Sequence, residues 1–430
     1  MHPAAPDNTP TAHAIRCWPA GTPLAATASP SGNAVIAAPA HTARLLLTKR
    51  GPAWDASPCP SIPAGPTADP IADLGVISTA PAPAGWLGWL AYELGERTEP
   101  ACLRASPDPI DDRATPLAVV CRLDNAHTRD DAGLWSVIGS PPPIGAPSAA
   151  QAELELENPD PQFYCAAVRR AIELINAGDI FQANLAHRLT GHLRGSSRAL
   201  AADWLDTAAP RYGAVFDLLD GGPSVISASP ELFLSLGTDG RITTRPMKGT
   251  RPDRPGALDD LRSSPKDAAE LAMIVDLMRN DLGRVARFGS VRVDSAREIE
   301  RHGGADPLLQ GVATITARLA AGRTLADLLR ASFPAGSVTG APKVRAMQII
   351  RELEPVRRGP YCGSVIRIES SGLVTMSVSI RTACITGEVF DFHAGAGIVA
   401  DSDPDEEWTE TLAKAQQVTS LAGRLAGSPA

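Results

Sequence analysis

Apolar positions recur with a helical period in four stretches of this chain and with a period of two in several shorter ones. Phe163 to Ala177 carries the helical repeat and stops at Gly178, a residue suited to closing a helix. Asp267 to Arg284 is the strongest helix, with Leu271, Ile274, Val275, Met278 and Leu282 as its apolar stripe. Pro342 to Leu353 is a third helix, entered through Gly336-Ser337-Val338-Thr339-Gly340-Ala341 with Pro342 near its first position. A fourth starts near Asp403, with Pro404 just inside it, and runs to about Gly423; Trp408, Leu412, Ala415 and Val418 mark its buried side. Val225 to Leu236, Ile242 to Thr244, Gly311 to Leu319, Leu373 to Thr386 and Val389 to Val399 read as strands. In Leu373–Thr386 one face carries Val374, Met376, Val378 and Ile380, the other Thr375, Ser377, Ser379 and Arg381. That polar face therefore ends in a guanidinium.

The first 140 residues are rich in Pro and Ala and hold only short apolar runs, Gly85 to Tyr92 being the clearest. Pro141-Pro142-Pro143 through Ala150 reads as a linker or long loop. The expected organisation is a variable region over 1–150, a proline-rich linker near 140–158, and a catalytic region over 159–424. No internal repeat is evident.

A chain of 430 residues suffices for one large or two ordinary domains. With 44% apolar and 20% charged residues it has globular composition. The net charge of −8 argues against a nucleic-acid or membrane-surface binder, which needs a basic footprint. Cys17, Cys59, Cys102, Cys121, Cys165, Cys362 and Cys384 are scattered and odd in number, with no Cys-x-x-Cys. They fit reduced thiols better than a disulfide framework or a zinc site. Met-His-Pro-Ala-Ala-Pro-Asp lacks the basic start and apolar core of a signal peptide, and no apolar run reaches spanning length. The expectation is a cytoplasmic protein without nucleic-acid or membrane partners.

The most informative segment is Arg-Pro-Met-Lys-Gly-Thr-Arg-Pro, Arg245 to Pro252. Proline fixes φ and glycine permits close backbone approach, so Lys248 sits on shaped backbone. Arg245 and Arg251 flank it, and a lysine held among cations is pushed toward its neutral, nucleophilic form. Asp267 and Glu270 share one helix face; Glu407 and Glu410 share another, with Lys414 one turn on. Each acidic pair is either a solvated face or half of a site for a hard cation such as Mg²⁺. Arg381, the Thr339-Gly340 helix entry and the backbone of Gly395-Ala396-Gly397 could hold carboxylates. Glu231, in Ser-Pro-Glu-Leu-Phe-Leu, is either a general acid or a strand-edge carboxylate. His187, His302 and His393 show no metal spacing and read as structural or exposed. No Ser or Cys stands in a nucleophile elbow, so no amidase is expected within the chain.

Taken together, these residues resemble the chorismate-utilising enzymes. The matching segments are Gly178 to Leu185, Ser229-Pro230-Glu231, Arg245 to Thr250, Ala269-Glu270 through Arg284, Phe333 to Met347, Tyr361-Cys362-Gly363, Ile380-Arg381-Thr382 and Gly395 to Lys414. They span about residues 160 to 420, and Gly85 to Gly95 resembles a family segment too. The resemblance implies an α+β fold: two antiparallel β-sheets packed face to face with helices outside, and a site in a cleft.

It also implies chemistry. Members that add water carry a lysine where this chain has Gln182; members that use ammonia carry glutamine. Anthranilate-forming members usually have alanine in place of Lys248. Pro-x-Lys-Gly-Thr marks the members that make 4-amino-4-deoxychorismate. In that reading Lys248 attacks the ring, Glu231 protonates the leaving 4-hydroxyl, and Mg²⁺ anchors the ring carboxylate. Glu270 and Glu410 would bind the metal directly, with Asp267 and Glu407 supporting through water. Arg381, Tyr361, Gly397 and Lys414 would contact chorismate, with Thr250 beside it. Ammonia would come from a separate glutaminase subunit. Gln310 stands where many relatives carry a histidine associated with pyruvate loss, and it has no titratable group. Anthranilate formation and a non-catalytic chorismate-binding subunit are the alternatives.

Overall fold

The computed structural model describes residues 9–426 apart from 29–32, 49–50, 57–60, 63, 105–107, 220 and 305–306. The N-terminal heptapeptide and Cys59 lie outside the described residues. Among these residues two large sheets dominate, and their neighbouring strands run antiparallel. The 11-stranded sheet runs Ala152–Leu156, Gln182–Gly195, Val389–Ile398, Thr382–Thr386, Ser224–Ser229, Tyr212–Asp217, Leu24–Ala28, Ala34–Ala37, Ala126–Arg129, Trp135–Ile138, with Gly340–Ala341 added beside Gln182–Gly195. The 12-stranded sheet runs Met247–Pro252, Leu308–Arg318, Arg241–Arg245, Leu232–Leu236, Val374–Val378, Ser364–Ile368, Trp86–Leu90, Ala118–Arg122, His41–Thr48, Gly51–Ala56, Gly65–Pro66. Arg292–His302 pairs with Leu308–Arg318 off that path. The short apolar runs of the first 140 residues are thus strands of both sheets, and residues 140–151 are irregular.

The sheets pack face to face. Leu87, Trp89, Val119 and Val365 of one meet Ala25, Val35, Phe216 and Val225 of the other in a single buried cluster. Helices cover the outer faces. Pro265–Gly283 lays Leu271, Ile274 and Met278 on Phe233, Ile242 and Ile315. Ser197–Ala208 and Pro404–Ala426 bring Leu200, Trp204 and Val418 to Ile226 and Phe390. Each apolar stripe leaves water for a sheet face, at roughly 25 cal/mol per Å² buried. On Pro404–Ala426 the stripe is rotated from the expected one: Thr411, Ala415 and Val418 are buried, whereas Leu412 is 37% exposed. Among the described residues no helix is long and apolar enough to cross a membrane.

Two expected strands are each two strands in different sheets. Val225–Leu236 is broken after Ser229 by Pro230, which has no N–H for a ladder; Ser224–Ser229 stays in one sheet and Leu232–Leu236 crosses to the other. Leu373–Thr386 is broken at Arg381, whose φ is 50°. Val374–Val378 and Thr382–Thr386 again lie in different sheets. Arg381 is therefore at a crossover and not on a polar strand face. Ser377 and Ser379 of that supposed face are buried, because both sides of the sheet are covered. The crossovers are stitched together: Val378 N–H donates to the Glu231 carbonyl (3.1 Å), Ser229 Oγ to the Val378 carbonyl (2.5 Å), and Ala228 N–H to the Arg381 carbonyl (2.9 Å).

Candidate active site

Beside these crossovers lies a cavity of about 380 Å³. Its walls come from the crossovers (Glu231, Arg381), the strand Met247–Pro252, both acidic helices and the strand Val389–Ile398. Lys248 enters from a strand with a register shift between Lys248 and Thr250, at Gly249 (φ 76°). A Cβ on Gly249 would lie 2.8 Å from the Asp267 carboxyl carbon, so glycine is what lets this strand approach the acidic helix. The amine of Lys248 stands 3.4 Å from Glu270 Oε2, and both side chains are largely buried.

The arginines flanking Lys248 in sequence do not crowd it. Arg245 pairs with Glu300, and Arg251 with Asp260 (2.6 Å) and Asp267 (3.1 Å). The nearest charge to the amine is instead a carboxylate, Glu270, and Glu231 and Glu410 share the cavity with it, as do Lys266 and Lys414. The electrostatic reason expected for a neutral amine is thus corrected: Lys248 is held by carboxylates, not repelled by guanidinium groups.

Gly397 supplies the floor. A Cβ there would sit 2.6 Å from Lys248 Nζ and would overlap the Gln182 amide. We expect Gly397→Ala to displace the amine and lower turnover by roughly 10²-fold, with little change in Tm; equal losses of Tm and turnover would argue for a packing role only.

Glu231 is 4% exposed. Burial pushes its carboxyl up to about 7, against the opposing pull of the Ser337 hydroxyl, Lys248 and the Met247 N–H. A carboxyl still protonated near neutrality can donate, and this one faces the same cavity as Lys248. Arg381 also lines the cavity, and among the described residues no carboxylate lies within ion-pair distance of it. Burial alone brings its guanidinium down to about 10. An unpaired cation of this kind is a seat for an anion.

The four helix carboxylates all line the cavity, each beside a cation: Glu270 with Lys248 (3.4 Å), Asp267 with Arg251 (3.1 Å), Glu410 with Lys414 (2.7 Å) and Glu407 with Lys266 (3.8 Å). Glu410 is half exposed and held low chiefly by Lys414. Glu407 is buried, which raises it, while Ser402 donates to it at 2.6 Å. Among the described residues no three potential ligands are gathered at metal-binding distance. The donor chemistry, hard oxygens from two helices on one cavity, fits Mg²⁺.

The remaining residues divide. Thr250 accepts from the Gln310 amide (3.1 Å), and both line the cavity. Lys414 also donates to the Gly395 carbonyl (2.8 Å). Tyr361 lines the cavity, its hydroxyl 2.9 Å from where a Cβ on Gly395 would sit. Gln182 is wholly buried beside Gly397, and among the described residues neither of its amide atoms has a hydrogen-bond partner. Ala396 turns its methyl into the core. Thr339 and Gly340 do not line the cavity; Ser337 and Val338 do. Thr339 and Ala341 instead offer their carbonyls to Asn184 and Phe181 of the neighbouring strand. The helix there is Lys343–Leu353, and its first residue is buried and paired with Asp281 (2.5 Å), so it is not the open anion site expected.

His187 is structural, between Tyr164 and Trp408 and bonded to Thr411 (2.8 Å). His302 pairs with Glu300 (3.4 Å) away from the cavity and does not stand in for Gln310. His393, by contrast, lines the cavity, buried, with its ring stacked on Tyr361 (5.4 Å, 14°). Its spacing of two from Gly395 puts it on the same strand face, which was the available signal.

The family model described as chorismate binding enzyme matches residues 66–420. The chain belongs to the chorismate-binding enzymes. Among curated members, aminodeoxychorismate synthase component 1 of Klebsiella aerogenes is 40% identical over 350 residues, 78% of this chain and 76% of that one. Anthranilate synthase component 1 1 of Haloarcula marismortui is 35% identical over 390 residues, 81% and 77% of the two chains. The solved anthranilate synthase component I of Streptococcus pneumoniae has the same fold, with a TM-score of 0.76 at 26% identity over 90% of this chain and 92% of that one. This member of the chorismate-binding enzymes is therefore a chorismate-utilising enzyme with the anthranilate synthase component I fold. Its relatives carry at least three product names, aminodeoxychorismate, anthranilate and 2-amino-4-deoxychorismate, and similarity alone does not choose among them.

Proposed function

We propose that this protein is an aminodeoxychorismate synthase component I, which converts chorismate and ammonia to 4-amino-4-deoxychorismate, a precursor of 4-aminobenzoate and folate. The observation that carries the reading is Lys248 itself, an amine seated over Gly397 in the cavity that also holds the buried Glu231, whose carboxyl is raised by burial. Arg381 and Lys414 offer cations to the two carboxylates of chorismate. Lys248 passes its ammonium proton to a carboxylate in reach, Glu270 at 3.4 Å, and its freed lone pair bonds to the ring while the ring double bonds shift. The 4-hydroxyl leaves as water with the proton of Glu231. Ammonia then forms the new C–N bond at C4 as the bond to Lys248 breaks, and the amine and Glu231 regain their starting protonation. Splitting one displacement into two gives each step a better leaving group.

Mg²⁺, held by Glu270 and Glu410 with Asp267 and Glu407 behind them, would neutralise a substrate carboxylate. Removing divalent ions with EDTA is therefore expected to abolish turnover and excess Mg²⁺ to restore it, with Glu270→Gln needing more Mg²⁺ for half-maximal rate. Turnover that survives EDTA would remove the metal from the reading.

The ammonia source is proposed to be a glutaminase subunit, as the component 1 names of relatives suggest. The direct test is chorismate, Mg²⁺ and excess ammonium near neutral pH, where Glu231 still carries its proton in part, with products resolved by mass spectrometry. Aminodeoxychorismate is expected. Anthranilate would transfer the chain to the anthranilate synthases, and chorismate unchanged even with a glutaminase partner would favour a binding subunit.

A further inference from the structure

The turn Gly336–Val338 delivers a side chain that belongs to neither the expected catalytic set nor the metal set. Ser337 is 7% exposed, and its hydroxyl donates to Glu231 Oε1 at 2.6 Å. The turn that carries it is fixed from several sides. The Val338 carbonyl accepts from the Arg358 guanidinium (2.9 Å), and the Thr339 carbonyl from Asn184 N–H (2.8 Å). The Thr339 hydroxyl donates back to the Ala335 carbonyl (3.1 Å). A Cβ on Gly336 would lie 2.7 Å from Leu277 Cδ2, so the turn is pressed against the helix Pro265–Gly283. Arg358 is itself buried and bonded on several sides: 2% exposed, it forks onto Glu354 (2.8 and 2.6 Å) and also donates to the Asn184 carbonyl (2.6 Å).

A carboxylic acid gives its proton from one oxygen only. A serine hydroxyl donating to Oε1 makes that oxygen the acceptor and leaves Oε2 to carry the proton. We infer that Ser337 is a positioning residue for the proton transfer: through the turn anchored by Arg358 it holds the Glu231 carboxyl in one orientation, with the transferable proton on Oε2. The inference rests on the reading of Glu231 as the acid. The same hydrogen bond persists after the proton has left and then stabilises the carboxylate, so it favours release without a change of geometry. The other groups facing Glu231 are the Lys248 amine and Met247 N–H of its neighbouring strand and the Cys362 thiol. Among the described residues, the hydroxyl of Ser337 is the one side-chain donor hydrogen-bonded to the carboxyl.

The test follows chorismate consumption, whichever amino product forms, in wild type, Ser337→Ala, Ser337→Thr and Glu231→Gln. Ser337→Ala is expected to lower kcat on the order of 10–10²-fold, with KM for chorismate nearly unchanged. Its kcat should also fall at higher pH than that of wild type, because the bond removed stabilises the deprotonated form. Ser337→Thr keeps a hydroxyl and restores both readouts. A Ser337→Ala enzyme with wild-type kcat and an unmoved pH profile would overturn the inference while a dead Glu231→Gln left the acid in place. A drop in kcat that Ser337→Thr does not restore, with no movement of the profile, would reduce Ser337 to packing. A Glu231→Gln enzyme as fast as wild type would overturn the acid and this inference together.

Discussion

Lys248→Ala is expected to fold normally and to lose turnover of chorismate by roughly 10³-fold or more, the scale seen when an attacking group is removed from a covalent mechanism. The fold should survive because Lys248 lies in the cavity wall and not in the apolar clusters. The informative companion is Lys248→Arg. A guanidinium keeps a cation beside Glu270 but stays protonated and has no lone pair to give. If Lys248 only balances the carboxylate 3.4 Å away, arginine restores much of the rate. If it is the nucleophile, arginine is as slow as alanine. Intact-protein mass spectrometry of wild type quenched in the absence of ammonia adds a direct reading. The covalent species has the mass of chorismate less one water and is missing from both variants. A fast Lys248→Arg enzyme with no adduct in wild type would end the covalent reading.

The Lys248 position was legible because its signals are local. Proline and glycine on either side announce shaped backbone, and the bulge at Gly249 is the shape. What surrounds Lys248 was not legible, because Arg245 and Arg251 are drawn away by partners distant in sequence, Glu300 and the Asp260–Asp267 pair. The helices were read from their stripes for the same local reason. The sheets were harder. An alternation of period two can keep its phase through a crossover, so Val225–Leu236 and Leu373–Thr386 looked continuous although each changes sheet. The breaks are where Glu231 and Arg381 stand. Pro230 was the visible sign of one; the positive φ of Arg381 leaves no mark on composition. Ser337 was hidden more completely, since its partner Glu231 is brought to it only by the packing of that crossover against the turn.

Glu231→Gln is expected to separate activity from stability. The amide is nearly isosteric and still accepts from Ser337 through Oε1, but it has no acidic proton, so turnover should fall roughly 10²–10⁴-fold. Wild-type kcat should itself decline as pH rises through about 7, where burial places this carboxyl. The same shift costs stability. The carboxyl is raised from 4.5 to about 7 on folding, so its contribution is whole below about 4.5, declines as pH rises, and is lost above about 7. At a tenfold change in equilibrium per unit, the buried carboxylate costs up to about 3 kcal/mol at alkaline pH. The inactive Glu231→Gln protein should accordingly be more stable than wild type near pH 8, and the gap should shrink near pH 5. Thermal denaturation of both proteins at the two pH values measures it. A gap that does not vary with pH would mean that Glu231 is already ionised at neutrality, and the 4-hydroxyl would then have to take its proton from another group in the cavity.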